Sequence, residues 1–335
     1  MSGPRVVIGL SAVICAVTEE APYAAVTGGV SGEPAGLPFG PFDPAGDRTL
    51  ELSLRRWVSE QTGFDIGYVE QLYTFGDRGR EAPLPDLGGE APGRMISIGY
   101  LALTPSRAAL AGAGARWRDW YEMFPWEDWR TGRPEALDNE IAPRLRAWCN
   151  AAPDAASAQT RRTRVRLAFA LEGETWNEER TLDRYELLYE ADLAPEAARD
   201  RAHFRGEAPA PPTHMPACFG APMISDHRRI LATAIGRLRA KIKYRPIIFE
   251  IAPESFTLLS LQRVVESISG LSLHKQNFRR LLTRTGLVEA TRQSDASAGG
   301  RPAQLFRAAH ATLAQRPVGG VHVPTPRDVR TARSK

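Results

Sequence analysis

Hydrophobic residues follow two different patterns along the chain. Val6 to Val17, Tyr23 to Val26 and Met95 to Thr104 are rich in Val, Ile, Ala and Tyr and bounded by Gly or Pro, which predicts strands. Leu50 to Gln61 reads as a helix closed by Gly63, a residue suited to a left-handed C-cap. Leu137, Ile141, Leu145 and Trp148 recur at helical spacing, as do Leu182, Tyr185 and Tyr189, so Glu135 to Trp148 and Glu178 to Leu193 are expected helices. Gly28 to Gly46, Gly79 to Gly93 and Ala151 to Thr160 read as loops, the first long enough to border a ligand site. The proline-rich stretch Gly206 to Ala217 can hold neither a helix nor a central strand and marks the expected domain boundary.

Beyond it the order of elements becomes specific. Ser225 is placed to cap a helix from Asp226 to Lys243, whose residues Leu231, Ile235, Leu238 and Ile242 form one apolar stripe. The stripe can pack on its own domain or pair with its twin in a dimer, and both readings stand. A short strand from Pro246 to Ile251 is expected next, then a helix from Phe256 to Ser269 stopped by Gly270. The segment Ser272 to Thr285 reads as a second helix that buries Phe278, Leu281 and Leu282 and exposes His274, Lys275, Gln276, Asn277, Arg279 and Arg280. Leu287 to Thr291 and Ala303 to Arg307 form a hairpin around the loop Arg292 to Arg301. Helix, turn, helix, hairpin is the order of a winged helix-turn-helix. Arg suits guanine O6 and N7, Asn or Gln suits adenine N6 and N7, and Arg301 in the wing suits phosphate or the minor groove. Double-stranded DNA is therefore the expected partner.

Charge sharpens this picture. The whole chain is only +4, but residues 224–335 hold 20 Lys+Arg against 7 Asp+Glu, a net of +13, and the remainder is −9. One end is expected to meet a polyanion and the other is not. At 335 residues, 43% hydrophobic and 24% charged, the chain has the make-up of a two-domain globular protein. No run is long and apolar enough to span a membrane and the opening lacks a leader pattern, so a cytoplasmic location is expected. Cys15, Cys149 and Cys218 are far apart and the six histidines lack ligand spacing, so no metal site, cofactor or catalytic residue is assigned. The expected organisation is a mixed α and β domain over 1–150, a helical segment and Pro-rich linker over 151–223, the winged helix over 224–310 and a disordered basic tail over 311–335.

Two resemblances fit this plan. Residues 37–64, LPFGPFDPAGDRTLELSLRRWVSEQTGF, resemble a Nudix motif aligned on Gly63 and Phe64: Arg56, Val58 and Glu60 match, whereas Trp57, Gln61, Arg48 and Phe42 stand where the motif has Glu, Glu, Glu and Gly. The run DHRRILATAIGRLRAKIKYRPIIFEIAPESFTLLSLQRVVE, with HKQNFRRLL and GRPAQLF, resembles the NrtR-type Nudix-related regulators of bacterial NAD metabolism. That resemblance implies an α+β chain, with a Nudix-like α/β/α sandwich followed by a C-terminal winged helix-turn-helix. It also implies a homodimeric, ligand-responsive transcriptional regulator whose effector is ADP-ribose or a related nucleotide. With one carboxylate of the set left, Mg²⁺ chemistry on a diphosphate is not expected, and a Nudix-type hydrolase of nucleoside diphosphate derivatives is the alternative.

For effector binding the candidates are Arg55, Arg56, Glu60 and Trp126. Two arginines can grip a pyrophosphate without metal, although a salt bridge to Glu60 explains them as well. Trp126 lies in the aromatic stretch RWRDWYEMFPWEDWR over 116–130, which reads either as core or as the wall of a nucleotide pocket.

Overall fold

The computed structural model describes residues 6–29, 33–80, 94–105, 107–207, 215–244, 247–295 and 302–309. Arg301, the tail over 311–335 and most of the Gly79 to Gly93 loop lie outside the described residues.

The strands are β1 (Val6–Val17), β2 (Pro22–Val26), β3 (Phe39–Pro41), β4 (Tyr68–Phe75), β5 (Arg94–Thr104) and β6 (Arg116–Asp119), and they form one mixed sheet. Its order is β4-β5-β1-β2-β6, with β3 pairing β1 off the main path and β1 running parallel to β5. Alternate residues of β1 feed two cores, because successive side chains in a strand point to opposite faces. Leu10, Ala12 and Ile14 pack with Leu54 and Val58 of helix α1 (Leu50–Thr62), while Val13, Cys15 and Val17 join the larger core on the other face. α1 is capped by the Thr49 hydroxyl, which accepts from the Leu52 amide at 3.1 Å, and ends at Gly63 with φ 65°. The sheet thus lies between two helical layers.

The second layer begins with helix α2 (Ala142–Asn150), entered through a π-helical turn at Leu137–Ile141. Next come α3 (Ala155–Phe169), α4 (Thr181–Glu190), α5 (Pro195–Phe204) and α6 (His227–Tyr244). The expected loop at Ala151 to Thr160 is a correction: Asp154 caps α3 by accepting from the Ser157 amide at 2.7 Å. A second correction concerns Ser225, which has φ 48° and precedes a helix that starts at His227, rather than capping it from an extended conformation. Leu231, Ile235, Leu238 and Ile242 are all buried within their own chain, so the stripe is core and not a dimer seam.

α6 also packs on β1, β4 and α4, which places it in the body built on the six-stranded sheet rather than in the winged helix as the expected boundary at 224 had it. Five of its six Lys and Arg residues pair with carboxylates from the amino-terminal part. Arg228 meets Glu196 at 3.2 Å, Arg229 meets Glu186 at 2.6 Å, Arg239 meets Glu127, Lys241 meets Glu70 and Lys243 meets Glu178 at 2.6 Å. Much of the basic excess of residues 224–335 therefore neutralises the acidic excess of the remainder.

Glu127 is the deepest of these. It is fully buried, and the Arg184 guanidinium donates to its carboxylate at 2.7 Å while Arg239 approaches from the other side. Burial works to raise this carboxyl, but the charges of Arg184 and Arg239 outweigh it and hold it below the ordinary range. Its neighbour Trp126 is 1% exposed and packs against Phe124 and the Arg228 guanidinium. The expectation that Trp126 lines a nucleotide pocket is thereby corrected: the indole is core, on the face of the sheet opposite α1.

Trp126→Ala and Glu127→Ala are each expected to cost roughly 3–5 kcal/mol in urea unfolding, the first by a cavity and the second by stranding two buried guanidiniums. A loss under about 1 kcal/mol in either would contradict this packing. His227, buried at the start of α6, adds a pH effect. Burial, reinforced by Arg199, pushes its imidazole down to about 3 from the ordinary 6.5, so its contribution is present above pH 6.5 and lost as pH falls toward 3. Asp226 beside it, raised by burial to about 6, acts oppositely, its contribution being full below 3.8 and lost as pH rises through 6. His227→Gln should therefore narrow its stability gap to the native chain below pH 6.5, by up to about 1.4 kcal/mol per pH unit, in urea unfolding between pH 7 and 4.

Candidate DNA-reading face and nucleotide site

Helix α7 (Leu258–Ser269) starts at Thr257, whose hydroxyl accepts from the Ser260 amide at 3.0 Å, and stops at Gly270 with φ 70°. The turn that follows is pinned by side chains: Glu266 accepts from the Leu273 amide at 2.7 Å and the Gln262 amide donates to the Leu273 carbonyl at 3.0 Å. These bonds set the start of helix α8 (Lys275–Thr285), which buries Phe278 and Leu282 and ends at Gly286 with φ 64°. Strands β7 (Val288–Asp295) and β8 (Ala303–Ala308) then pair antiparallel as the wing, with a bulge between Ala290 and Ser294. The expected strand at Pro246 to Ile251 is instead a 3-10 turn over Ile247–Glu250, and the hairpin takes its third partner at Phe256, which bonds Phe306 in both directions at 2.9 and 2.8 Å.

α8 presents the residues expected of it. His274, Lys275, Gln276, Asn277, Arg279 and Arg280 are all exposed, and so are Thr283 and Arg284, which lie a turn further along the same helix and were missed in the sequence. Asn277 accepts from the Arg280 guanidinium at 2.9 Å, which orders that pair before any ligand arrives. Among the described residues Lys275, Arg279, Arg280 and Arg284 have no carboxylate partner, in contrast to the paired cations of α6. Among the described residues most of the cations of this part of the chain that lack a carboxylate partner thus lie on the helix whose shape fits a major groove.

The nucleotide candidates are less united. Arg55, Arg56 and Glu60 share α1, but Trp126 lies across the sheet. Arg55 spends its guanidinium on Glu51 at 2.8 Å and on the carbonyls of Ile66 and Gly67. Arg56 pairs with Asp47 at 2.9 Å, lies 3.8 Å from Glu60 and stacks over Trp57. Glu60 is 52% exposed.

The remaining motif positions do not fit a divalent cation, because they offer it no oxygen. The Trp57 indole N–H donates to the Pro41 carbonyl at 2.8 Å, and Gln61 accepts from the Phe39 amide at 3.0 Å while its own amide donates to the Phe39 carbonyl. Among the described residues no group of three His, Cys, Asp or Glu could hold a metal.

An open cleft of about 970 Å³ lies between the loop after α1 and the segment leading into α7, with Tyr68, Phe249 and Phe256 among its walls. Lys241 in it is held by Glu70, which leaves Asp65, Glu250 and Glu254 as its charges without an ion-pair partner among the described residues. That sign is wrong for a diphosphate.

Comparison with known proteins agrees with this geometry. Residues 248–308 match the family described as the NrtR DNA-binding winged helix domain. An 82-residue stretch is 44% identical to the ADPR responsive transcriptional repressor NtrR of Acinetobacter baylyi, covering 24% of this chain and 32% of the relative's length. The crystal structure of Shewanella oneidensis NrtR matches at a TM-score of 0.52 and 17% identity, over 95% of this chain and 99% of that one. The same protein complexed with a 27mer DNA matches at 0.50 and 18%, over 95% and 99%. No described helix is long and apolar enough to cross a membrane. The chain therefore has the fold of NrtR, a Nudix-like α/β/α domain followed by a winged helix, and its residues 248–308 match the NrtR DNA-binding winged helix domain.

Proposed function

We propose that this chain is a DNA-binding transcriptional regulator whose Nudix-like domain senses ADP-ribose or a related nucleotide. The observation that carries the reading is the segregation of cations: five of the six on α6 are consumed inside the molecule, and among the described residues those of α8 have no carboxylate partner on an ordered, exposed helix. Gln276 and Asn277 beside Arg279 and Arg280 supply the donors and acceptors that read base edges, and Arg284 and Arg292 flank them for phosphate.

The effector arm rests on the fold and on the Acinetobacter relative, an ADPR responsive transcriptional repressor. In this reading Arg56, half-exposed on α1, meets the pyrophosphate with no metal between them. The working protein is a cytoplasmic homodimer, since two winged helices read two half-sites. Because the α6 stripe is buried, the two chains meet through another surface.

Anisotropy titrations of the full chain on a labelled duplex test this. Affinity should fall by on the order of a thousandfold between about 50 and 200 mM salt if roughly six to ten phosphates are met. Arg280→Ala should weaken binding by about tenfold or more, whereas Lys241→Ala, which removes a cation of equal charge held by Glu70, should leave it unchanged. ADP-ribose should raise the melting temperature and shift the duplex affinity. Salt-independent binding, or equal losses from both variants, would overturn the DNA reading, and a chain whose melting temperature and duplex affinity ignore ADP-ribose would overturn the effector.

A further inference from the structure

Trp57 and Gln61 sit where the Nudix pattern places carboxylates, and both direct their polar atoms at the backbone of β3. The contact is close. A Cβ on Gly40 would fall 2.1 Å from the Trp57 ring, so β3 lies on α1 at a distance only glycine permits. The other edge of β3 is paired to β1 through Phe39, Gly40 and Pro41.

The chain just before β3 is tied to a different helix. The Leu37 amide donates to Nδ1 of His227 at 2.9 Å, and the Ile224 amide donates to the Ala35 carbonyl at 3.0 Å. Phe39 meets the His227 ring edge-on at 4.9 Å, and a Cβ on Gly36 would come within 2.6 Å of Ile224. His227 is the first residue of α6, and α6 in turn reaches α7 through Arg239, which donates to the Ile268 carbonyl at 2.9 Å.

We propose that the cation positions of the Nudix helix have become a clamp: Trp57 and Gln61 hold residues 35–41 on α1, and those residues hold His227 at the start of α6, so that α1 and α6 shift together and α1 takes up no divalent cation. A tie of this kind transmits a displacement because both of its ends are closed by directed hydrogen bonds, the His227 end buried and the α1 end half-buried in close contact with Gly40, which leaves little free volume to absorb the shift locally. Trp57, Gln61 and His227 are positioning residues in this arrangement. Only the idea that the clamp carries an effector signal toward α7 rests on the regulator reading.

Hydrogen exchange on the full-length native chain and on Trp57→Phe and Gln61→Leu tests the clamp without DNA or nucleotide, so its failure is separate from failure of the regulator reading. Trp57→Phe keeps an aromatic ring on Gly40 while it removes the bond to Pro41 and trims the indole, so it remains informative if Gln61→Leu does not fold. The expected result is exchange roughly three- to tenfold faster in peptides over 35–41 and over 224–230 as well as at the end of α1. Faster exchange confined to α1 would overturn the proposal. So would a stoichiometric Mn²⁺ site on the native chain, seen by electron paramagnetic resonance, that Glu60→Gln abolishes.

Discussion

Glu127 lies fully buried at the junction of four segments, and most of the molecule's geometry depends on how its charge is met. Arg184 comes from α4 and Arg239 from α6, while Thr181 lies beside both and Arg239 also bonds the end of α7. A carboxylate taken this far from solvent survives only with well-placed cationic partners, and a misplaced guanidinium costs several kcal/mol, so the arrangement selects one relative placement of these helices. The same point explains why the aromatic stretch over 116–130 is buried. Trp126, Phe124 and Tyr185 wrap the Arg228 guanidinium, which bonds the carbonyls of Met123 and Phe219.

Charge elsewhere follows the same logic at lower stakes. The acidic amino-terminal part and the basic carboxy-terminal part meet along α6, so a net charge counted by sequence segment overstates what is free to meet a polyanion. What distinguishes α8 from α6 is that, among the described residues, no carboxylate pairs with its cations, a property of packing that no count along the chain contains. Both helices carry Lys and Arg at similar density.

Periodicity made the regular elements legible: β1, β5, α1, α7 and α8 lie within a few residues of where their apolar patterns and glycine stops place them. Short or polar elements escaped. β3 is three residues long, β6 is a half-exposed edge strand, and α3 carries so many arginines and alanines that its apolar stripe of Val165, Ala168 and Phe169 is thin. The candidate site divided in the same way. The outward face of α8 could be read because helix spacing separates it from Phe278 and Leu282, whereas the burial of Trp126 could not, since indoles serve cores and pockets equally well. Trp57 and Gln61 were visible as departures from a pattern, but their use as donors and acceptors for β3 depends on a backbone contact between distant residues.

The end of α7 shows one more property of this architecture. Its last carbonyls are not left to solvent: Tyr121 donates to Ser267 at 2.7 Å, Arg239 to Ile268, and the Trp129 amide to Gly270 at 2.7 Å. The winged helix therefore borrows the capping of α7 from the body it is attached to, and it is not an interchangeable cassette. A chimera that grafted residues 248–308 onto a foreign sensor would leave three acceptors unsatisfied unless the host supplied matching donors. Exchange of such heads between related chains is thus confined to hosts that keep the tyrosine, the arginine and the tryptophan amide in register.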